Sequence, residues 1–168
     1  MKNIWDDKKL IDVLKEGGVV VMPTDTIYGI VGRADNQKTV ERIYKLKKRA
    51  LEKKCIILIG DWKETNFFGI DSSEFKIPGI DEPTSFILGN TAFRLSKNID
   101  LQNLLKKVGP LIAPSANVEG ATPAENITEA KKYFGDLVDL YIDGGEIKGK
   151  PSKLIQLHKD GSVDILRK

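Results

Sequence analysis

The chain has 168 residues, of which 40% are hydrophobic and 30% charged, and its formal net charge at pH 7 is +3. This composition excludes a disordered chain, and no apolar run approaches the ~20 residues that a membrane-spanning helix needs. One cysteine and one histidine exclude an internal disulfide and a Cys/His metal site. The charged start of the sequence lacks the apolar stretch of a signal peptide. We therefore expect a single domain over residues 1–168, located in the cytoplasm and not in a membrane.

The first third of the sequence alternates between helical and strand-like patterns. Residues 8–16 have apolar positions at helical spacing and end in two glycines, which predicts a helix. A short apolar run predicts a strand at 19–22, and a second helical pattern covers 36–49. The continuous apolar run CIILI predicts a strand at 55–59 that is covered on both faces.

The remainder of the sequence shows hairpins as well as helices, although residues 60–84 have no clear period. The further predicted elements are strands at 85–88 and 91–95, a helix from about 99, a strand at 111–113, a helix at 126–135, a strand at 137–143 and a terminal hairpin at 153–167. Early alternation and later hairpins predict a mixed sheet in a single domain of the α/β class, with α+β character.

A polar segment directly follows the first predicted strand. The sequence PTDTIYGIVG places Thr24, Asp25, Thr26 and Tyr28 where that strand ends. Ligands of α/β sheets usually bind in the crevice outside the carboxyl ends of strands, so these side chains are candidates for contacting a polar ligand. The same residues are equally consistent with a turn that satisfies its own backbone.

Basic residues are concentrated around the end of the second predicted helix. Six of the ten residues from Lys45 to Lys54 are lysine or arginine, and only Glu52 opposes them. Such a cluster favours the binding of phosphate or nucleic acid. The helix dipole also favours cations at a helix C-terminus, which accounts for two or three of the six.

A third candidate segment is GPLIAPSANVEGATPAEN, residues 109–126. It combines a short apolar strand with a loop that contains Ser115, Asn117 and Thr122 between prolines. A rigid loop with these hydrogen-bonding groups is suited to hold a nucleotide base or sugar. It is equally compatible with a plain connection between a strand and a helix.

Three other features receive no catalytic role. GGEIKGKPS matches half of a phosphate-binding P-loop, but Pro151 stands where a magnesium-binding hydroxyl is needed, and a strand follows where a helix should begin. Cys55 lies in an apolar strand and is expected in the core. For His158 the sequence suggests no partner, and this residue is expected at the surface.

In this order, the three segments resemble the YrdC-like family, the L-threonylcarbamoyladenylate synthases of tRNA modification. The resemblance is carried by PTDTIYGIVG, by Lys47 and Arg49 as a Lys-x-Arg element, and by GPLIAPSAN, in which Ser115 and Asn117 form a Ser-x-Asn element. The sequences YIDGG and PSKLIQL near the C-terminus extend it over nearly the whole chain, most weakly at 60–84.

The resemblance implies a fold and an activity. The family fold, which is YrdC/RibB-like, is a twisted open α/β sheet flanked by helices around a large, positively charged central cavity. Family members join L-threonine, bicarbonate and ATP into threonylcarbamoyl-AMP and release pyrophosphate, with Mg²⁺ bound alongside ATP. A separate transferase complex, TsaD with TsaB and TsaE, then modifies adenosine 37 of tRNA. Contacts with that complex and with tRNA are therefore further expectations.

The resemblance also implies which residues act. No residue of the chain is expected to bind a metal directly, and no protein nucleophile is required. Lys47 and Arg49 are expected to face the cavity as the catalytic pair, where they suppress the repulsion between the anionic nucleophile and the α-phosphate. The residues implied for threonine binding are Thr26, Arg94 (at the carboxylate), Ala113 and Ser152. The residues implied for ATP binding are Lys47, Arg49, Lys53, Ser115, Asn117, Pro123 and Arg167.

Several positions depart from the family pattern, mostly among the threonine contacts. Leu58 stands where a histidine would contact threonine, Asn90 and Lys153 stand where threonines are usual, and Ala50 replaces a proline. These departures leave open a related enzyme that forms a carbamoyl-adenylate from a different substrate. A second alternative is a non-catalytic module that binds double-stranded RNA, such as a tRNA stem or rRNA. The scattered aromatic residues form no platform for single-stranded RNA.

Overall fold

The computed structural model describes residues 3–168. Within this range the strands are β1 (Val20–Pro23), β2 (Tyr28–Arg33), β3 (Ile57–Ile59), β4 (Thr84–Leu88), β5 (Thr91–Leu95), β6 (Leu111–Ile112), β7 (Leu140–Tyr141), β8 (Lys153–Leu157) and β9 (Val163–Arg167). The α-helices are α1 (Lys8–Lys15), α2 (Gln37–Lys47), α3 (Ile99–Val108) and α4 (Ile127–Phe134). Short 3₁₀ helices occur at Ile4–Asp6, Trp62–Phe68, Ser72–Glu74 and Gly135–Leu137.

Local capping residues determine where the helices begin. The side chain at each N-cap accepts a hydrogen bond from a backbone N–H of the first turn, and these residues are Asp7, Asn36, Asn98 and Asn126. The C-cap residue of helix α2 is Lys48, which has a left-handed backbone with φ of 53°. This conformation turns the chain at the end of α2 and sets the direction of the basic segment that follows.

The strands form one mixed sheet in the order β7-β1-β2-β6-β3-β5-β4-β8-β9. The pairs β1/β7, β3/β5 and β4/β8 are parallel, and the other neighbouring pairs are antiparallel. The predicted mixed α/β sheet flanked by helices is therefore confirmed, as are the hairpins β4–β5 and β8–β9.

Helices cover both faces of the sheet around β1 and β2. Alternate residues of a strand point to opposite faces. Val19 and Val21 belong to the core that includes residues of α2 and α4, whereas Val20 and Met22 belong to the core that includes residues of α1 and α3. Burial on both faces explains why this strand is an uninterrupted apolar run in the sequence.

The part of the sheet formed by β5, β4, β8 and β9 has two different faces. One face is apolar and packs against the segment 60–84, where the rings of Trp62 and Phe86 lie 6.1 Å apart and those of Phe68 and Phe93 lie 5.7 Å apart. The opposite face carries Arg94, Ser85 and Arg167 together with apolar residues such as Leu154. The segment without a sequence period is thus a cover of short 3₁₀ turns and single aromatic anchors.

The structure corrects three details of the sequence interpretation. Residues 28–33, interpreted as part of a polar segment, form β2, and only 57–59 of the run 55–59 form a strand. His158 has a partner, because its Nε2 lies 2.8 Å from Oδ2 of Asp164 in the terminal hairpin. In the part of the chain that the structure describes, no helix is long and apolar enough to cross a membrane.

Candidate functional site

One cavity collects the three segments that the sequence singles out. It has a volume of about 230 Å³ and is bordered by the β1–β2 turn, the basic segment after α2, the loop after β6 and the polar face of β5, β8 and β9. Its polar and charged lining residues are Thr24, Thr26, Tyr28, Arg49, Lys54, Arg94, Ser115, Ser152 and Arg167. Four of these described residues are basic and none is acidic.

Pairing across the strands brings two arginines to the same wall of the cavity. Leu58 of β3 lies beside Arg94 of β5 in the sheet register. Leu154 of β8 lies between Ser85 of β4 and Arg167 of β9. Paired residues share a face of the sheet, and Nη1 of Arg94 lies 3.4 Å from Oγ of Ser85. We call Arg94, Ser85 and Arg167, with their partners Asp25 and Ser152, the strand group.

Within the strand group, the Arg94 guanidinium is buried and paired with a carboxylate. Only 4% of its side chain is exposed, and its Nη2 and Nε donate to Oδ1 of Asp25 at 2.9 and 3.2 Å. Its Nη2 also lies 3.4 Å from Oγ1 of Thr26. A buried guanidinium requires such a counter-charge. Asp25 therefore fixes Arg94 and the β1–β2 turn in one arrangement.

Arg167 differs from Arg94 because no carboxylate among residues 3–168 pairs with it. Its Nε donates to the backbone oxygen of Ser152 at 2.8 Å, and Oγ of Ser152 lies 2.7 Å from Oγ of Ser85. Burial and, next, the positive charge of Arg94 lower the pKa of Arg167. Two guanidinium groups and one carboxylate leave the strand group with a net positive charge, which suits an anionic ligand group.

The polar segment after β1 is both a self-satisfied turn and part of the cavity wall. Oγ1 of Thr24 donates to a backbone oxygen within the turn at 2.7 Å and lies 3.1 Å from Oγ1 of Thr26. The Tyr28 hydroxyl accepts from the N–H of Gly144 at 2.8 Å and donates to the oxygen of Gly145 at 2.7 Å. The interpretation as a self-satisfied turn is thus confirmed, and contact with a polar ligand stays a prediction.

Lys47 is directed at the loop after β6 and does not line the cavity, so the prediction that its side chain faces the cavity is wrong. It is 1% exposed, and its Nζ donates to the backbone oxygens of Ser115 and Asn117 at 2.6 and 2.8 Å and lies 3.3 Å from Oδ1 of Asn117. Burial lowers the pKa of Lys47 to about 8. The N–H of Glu119 donates to the backbone oxygen of Lys47 at 2.8 Å. Lys47 therefore fastens this loop to the end of α2.

Arg49 lines the cavity and is held by loops. Its Nε and Nη2 donate to the backbone oxygens of Lys53 and Lys54, both at 2.9 Å, and its Nη1 donates to Oε2 of Glu119 at 3.0 Å. Nζ of Lys53 lies 4.0 Å from Oε1 of Glu119. We call Arg49, Lys53, Lys54, Glu119 and Ser115 the loop group.

The Glu119 carboxylate is charged in this arrangement. Burial disfavours the charged form, but the hydrogen bond and charge of Arg49, together with the charges of Lys47 and Lys53, outweigh it and lower the pKa of Glu119. The carboxylate therefore offsets part of the positive charge of the basic segment.

The structure brings together most of the residues that the sequence analysis names. Lys47 and Asn117 are buried behind the cavity, Lys53 has a side chain that is 62% exposed, and Pro123 lines a different cavity beside α4. The seven predicted residues that line the main cavity are Thr26, Arg49, Arg94, Ala113, Ser115, Ser152 and Arg167.

The sequence analysis missed Ser85, Lys54 and Glu119 as site residues. Ser85 has no sequence signal, because only the register of β4 against its neighbours places it beside Arg94. Glu119 could have been found from the sequence. It is the only acidic residue between Asn117 and Ala124, and the six cations at 45–54 have only Glu52 as a counter-charge within their own segment.

The described residues include no group of three or more His, Cys, Asp or Glu side chains that could hold a metal ion. Asp25 and Glu119 are each paired with an arginine that lines the cavity. This set of groups fits a cation that arrives together with an anionic ligand better than one bound by the protein alone.

Comparison with known proteins relates this chain to one family. The Sua5/YciO/YrdC family model, described as telomere recombination, matches residues 12–168. A threonylcarbamoyl-AMP synthase of Dichelobacter nodosus is 30% identical over 162 residues, which covers 84% of this chain and 85% of the relative. A putative threonylcarbamoyl-AMP synthase of Methanocaldococcus jannaschii is 29% identical over 97% of this chain and 87% of the relative.

Solved structures show the same fold. P. abyssi Sua5 complexed with L-threonine has a TM-score of 0.72 at 24% identity, over 94% of this chain and 52% of that protein. E. coli YciO has a TM-score of 0.76 at 22% identity, over 95% of this chain and 87% of that protein. The chain thus spans about half the length of Sua5 and most of the length of YciO.

Proposed function

The chain belongs to the Sua5/YciO/YrdC family, and from this premise we propose that it is a threonylcarbamoyl-AMP synthase, an enzyme of the nucleotidyltransferase class. Two curated relatives are named threonylcarbamoyl-AMP synthase and putative threonylcarbamoyl-AMP synthase, and the match covers 85% and 87% of their lengths. The reaction joins L-threonine, bicarbonate and ATP into threonylcarbamoyl-AMP, with release of pyrophosphate and water.

One observation carries the proposal: three segments that are distant in the sequence border a single cavity with basic and hydroxyl side chains. The substrates of the reaction are a zwitterion and two anions, so their condensation needs positive charge and hydrogen-bond donors around one enclosed space. Cations distributed over separate surfaces would suit RNA binding, but they would not bring three small substrates together.

The loop group is proposed to bind the ATP phosphates. Arg49 and Lys54 present charged donors to the cavity, and such donors suit phosphate oxygens. The Ser115 hydroxyl also lines the cavity, and it donates to Oδ1 of Asn117. The carbamate of threonine attacks the α-phosphorus and pyrophosphate leaves. Both reacting groups are anionic, so the cations reduce their repulsion and hold them in line. Lys47 contributes by holding the loop that carries Ser115.

The strand group is proposed to bind threonine. Because Asp25 neutralises one of its two guanidinium groups, the remaining positive charge matches the single carboxylate of an amino acid. Thr26 and Ser152 supply hydroxyls, and the small Ala113, which is 8% exposed, leaves room along the wall. A neutral threonine amine is then free to take up bicarbonate and form the carbamate.

The departure from the family pattern at Leu58 places an apolar side chain beside Arg94 in the sheet, so position 58 supplies no polar contact to threonine. Leu58 is fully buried in the core that includes residues of α1 and α3 and does not line the cavity. The substitution therefore changes the core beside Arg94, and threonine is retained as the proposed substrate.

Mg²⁺ is proposed to arrive with ATP. It prefers oxygen ligands, keeps several waters and is commonly bound through substrate phosphates, where it neutralises charge. The chain itself supplies arginine, lysine and hydroxyl donors, which bind the phosphate oxygens that the ion leaves free.

Two partners belong to the proposal as well. Threonylcarbamoyl-AMP is a reactive mixed anhydride, so its direct transfer to the TsaD, TsaB and TsaE complex would limit hydrolysis. Contact with tRNA would use the basic residues at 45–54 that do not enter the cavity. A cytoplasmic location agrees with both partners.

The test is pyrophosphate release by the purified chain. We expect release that requires threonine, bicarbonate and Mg-ATP together and falls to the blank when any of them is omitted. Release that is independent of threonine, or no release with all three substrates, would contradict the proposal. A thermal-shift panel of amino acids with an ATP analogue tests the substrate, and stabilisation by another amino acid in place of threonine would favour the related enzyme.

A further inference from the structure

The ion pair of Arg49 and Glu119 lies where the ATP phosphates are proposed to bind. We propose that the Glu119 carboxylate competes with the nucleotide phosphates within the molecule, so that it occupies Arg49 and the neighbouring Lys53 in the free protein and must leave when ATP binds. The inference rests on the proposed function. It makes Glu119 the residue that sets the affinity for the polyphosphate.

The donors of Arg49 show which part of the guanidinium an anion can reach. Two of its nitrogens, Nε and Nη2, donate to backbone oxygens, and these bonds hold the group in place. The third nitrogen, Nη1, contacts both carboxylate oxygens of Glu119, at 3.0 and 3.3 Å. A phosphate that binds through Nη1 therefore has to replace this carboxylate.

Neither backbone depends on the Glu119 side chain. Arg49 keeps its two carbonyl acceptors without it. The loop that carries Glu119 is held by Lys47 Nζ and by the bond from the N–H of Glu119 to the oxygen of Lys47. The carboxylate can therefore leave while both binding surfaces stay formed, which is the property expected of a displaceable group.

Exposure separates Glu119 from the other carboxylate near the cavity. Asp25 is 10% exposed beside an Arg94 that is 4% exposed, whereas Glu119 is 31% exposed beside an Arg49 that is 21% exposed. Partly exposed ion pairs are weak, and a nucleoside triphosphate carries several negative charges. ATP can thus displace Glu119 into solvent, whereas Asp25 has no comparable exit.

The experiment is a calorimetric titration of Mg-ATP, and separately of pyrophosphate, in the absence of threonine. We expect Glu119→Gln to bind both about fivefold more tightly than the wild type, because a weak competing ion pair is removed. Glu52→Gln is the matched control: it makes the same charge change within the basic segment, and Glu52 is exposed with no ion pair among the described residues. We expect the control to change affinity less than about twofold.

The outcomes separate this inference from the proposed function. ATP binding that Glu119→Gln leaves equal to the control, or weakens, overturns the competition and leaves the synthase proposal intact. No binding of ATP or pyrophosphate by any of the proteins overturns both. Glu119→Ser, with its melting temperature measured beside the wild type, repeats the test if glutamine disturbs the loop, and it has to show the same tightening.

Discussion

The two arginines of the cavity with carboxylate partners are held in contrasting ways. Arg94 lies within a strand, is almost fully buried and pairs with a carboxylate that is 10% exposed. Arg49 follows a left-handed residue at a helix end, is held by carbonyl oxygens of its own loop and pairs with a partly exposed carboxylate. The strand group is therefore fixed by the sheet, and the loop group is fixed by local contacts.

The contrast follows from what each group is proposed to bind. A small amino acid has one carboxylate at a defined distance from its amine, so a rigid sheet face with one uncompensated cation is suited to select it. A triphosphate enters and pyrophosphate leaves in each cycle, so its cations have to exchange partners. A weakly held counter-charge such as Glu119 allows that exchange, whereas a buried one such as Asp25 would resist it.

The largest expected effect on stability is that of Arg94→Met. This change leaves the Asp25 carboxylate buried without its counter-charge, and removal of one partner of a buried ion pair costs about 3 kcal/mol. We expect the free energy of unfolding, measured by urea denaturation, to fall by about this amount. Pyrophosphate release should fall to the blank.

The double variant Asp25→Asn with Arg94→Met is the control. It removes the uncompensated charge, so more than half of the lost stability should return while the activity stays lost. If Arg94→Met is as stable as the wild type, the strand group is not the rigid, charge-coupled unit that the comparison requires.

An intermediate effect is expected for Lys47→Met, which tests whether the one buried cation beside the loop group is structural. The change removes a buried charge but leaves the backbone oxygen of Asn117 without a donor, and it takes one of two donors from the backbone oxygen of Ser115 and from Oδ1 of Asn117. We expect a loss of about 2 kcal/mol at pH 7, because hydrogen bonds to charged groups are worth about 1.5–3 kcal/mol. Urea denaturation at pH 7 measures it. A stable Lys47→Met protein with normal ATP affinity would refute the fastening role.

The pH dependence of stability gives Lys47 a second signature. Burial lowers the pKa of Lys47 to about 8 in the folded protein, from 10.5 for an ordinary lysine. Between these values the unfolded chain binds more protons than the folded one, so the wild type gains stability as pH rises. Relative to Lys47→Met, we expect a gain of at most about 3.5 kcal/mol, at about 1.4 kcal/mol per unit of pKa difference. If the free energies of unfolding of the two proteins change in parallel with pH, this expectation is contradicted.

Most regular elements could be predicted from the sequence because their signals are local. Asn36 and Asn98 cap helices that their own apolar spacing predicts, and Gly89, with φ of 63°, marks the hairpin turn. The segment 60–84 could not be read, because its aromatic residues are ordered by partners such as Phe86 on strands later in the chain. Local patterns carry no information about such contacts.

In the functional site, too, local features could be predicted from the sequence and contacts between distant residues could not. The three segments could be recognised as polar or basic, but their contacts depend on distant pairing. Asp25 meets Arg94 across 69 positions, and Lys47 meets Ser115 across 68. The inward direction of Lys47 in particular could not be predicted, because a lysine in a basic run is ordinarily exposed.

The smallest effect on stability, with a large effect on activity, is expected for Arg49→Met. Its ion pair with Glu119 is partly exposed and is worth less than about 1 kcal/mol. The two backbone oxygens that it releases belong to the exposed residues Lys53 and Lys54, where water can replace the donor, so urea denaturation should show little change. Pyrophosphate release should nevertheless fall by about 100-fold, the cost of removing one preorganised donor.

Arg33→Met is the matched control, because Arg33 is 33% exposed, pairs with Asp35 and lies outside the cavity lining. Arg33→Met should show the same small change in the free energy of unfolding as Arg49→Met and release pyrophosphate at the wild-type rate. If Arg49→Met instead unfolds as readily as Arg94→Met, both arginines are structural and the distinction between a sheet-fixed and an exchangeable group fails.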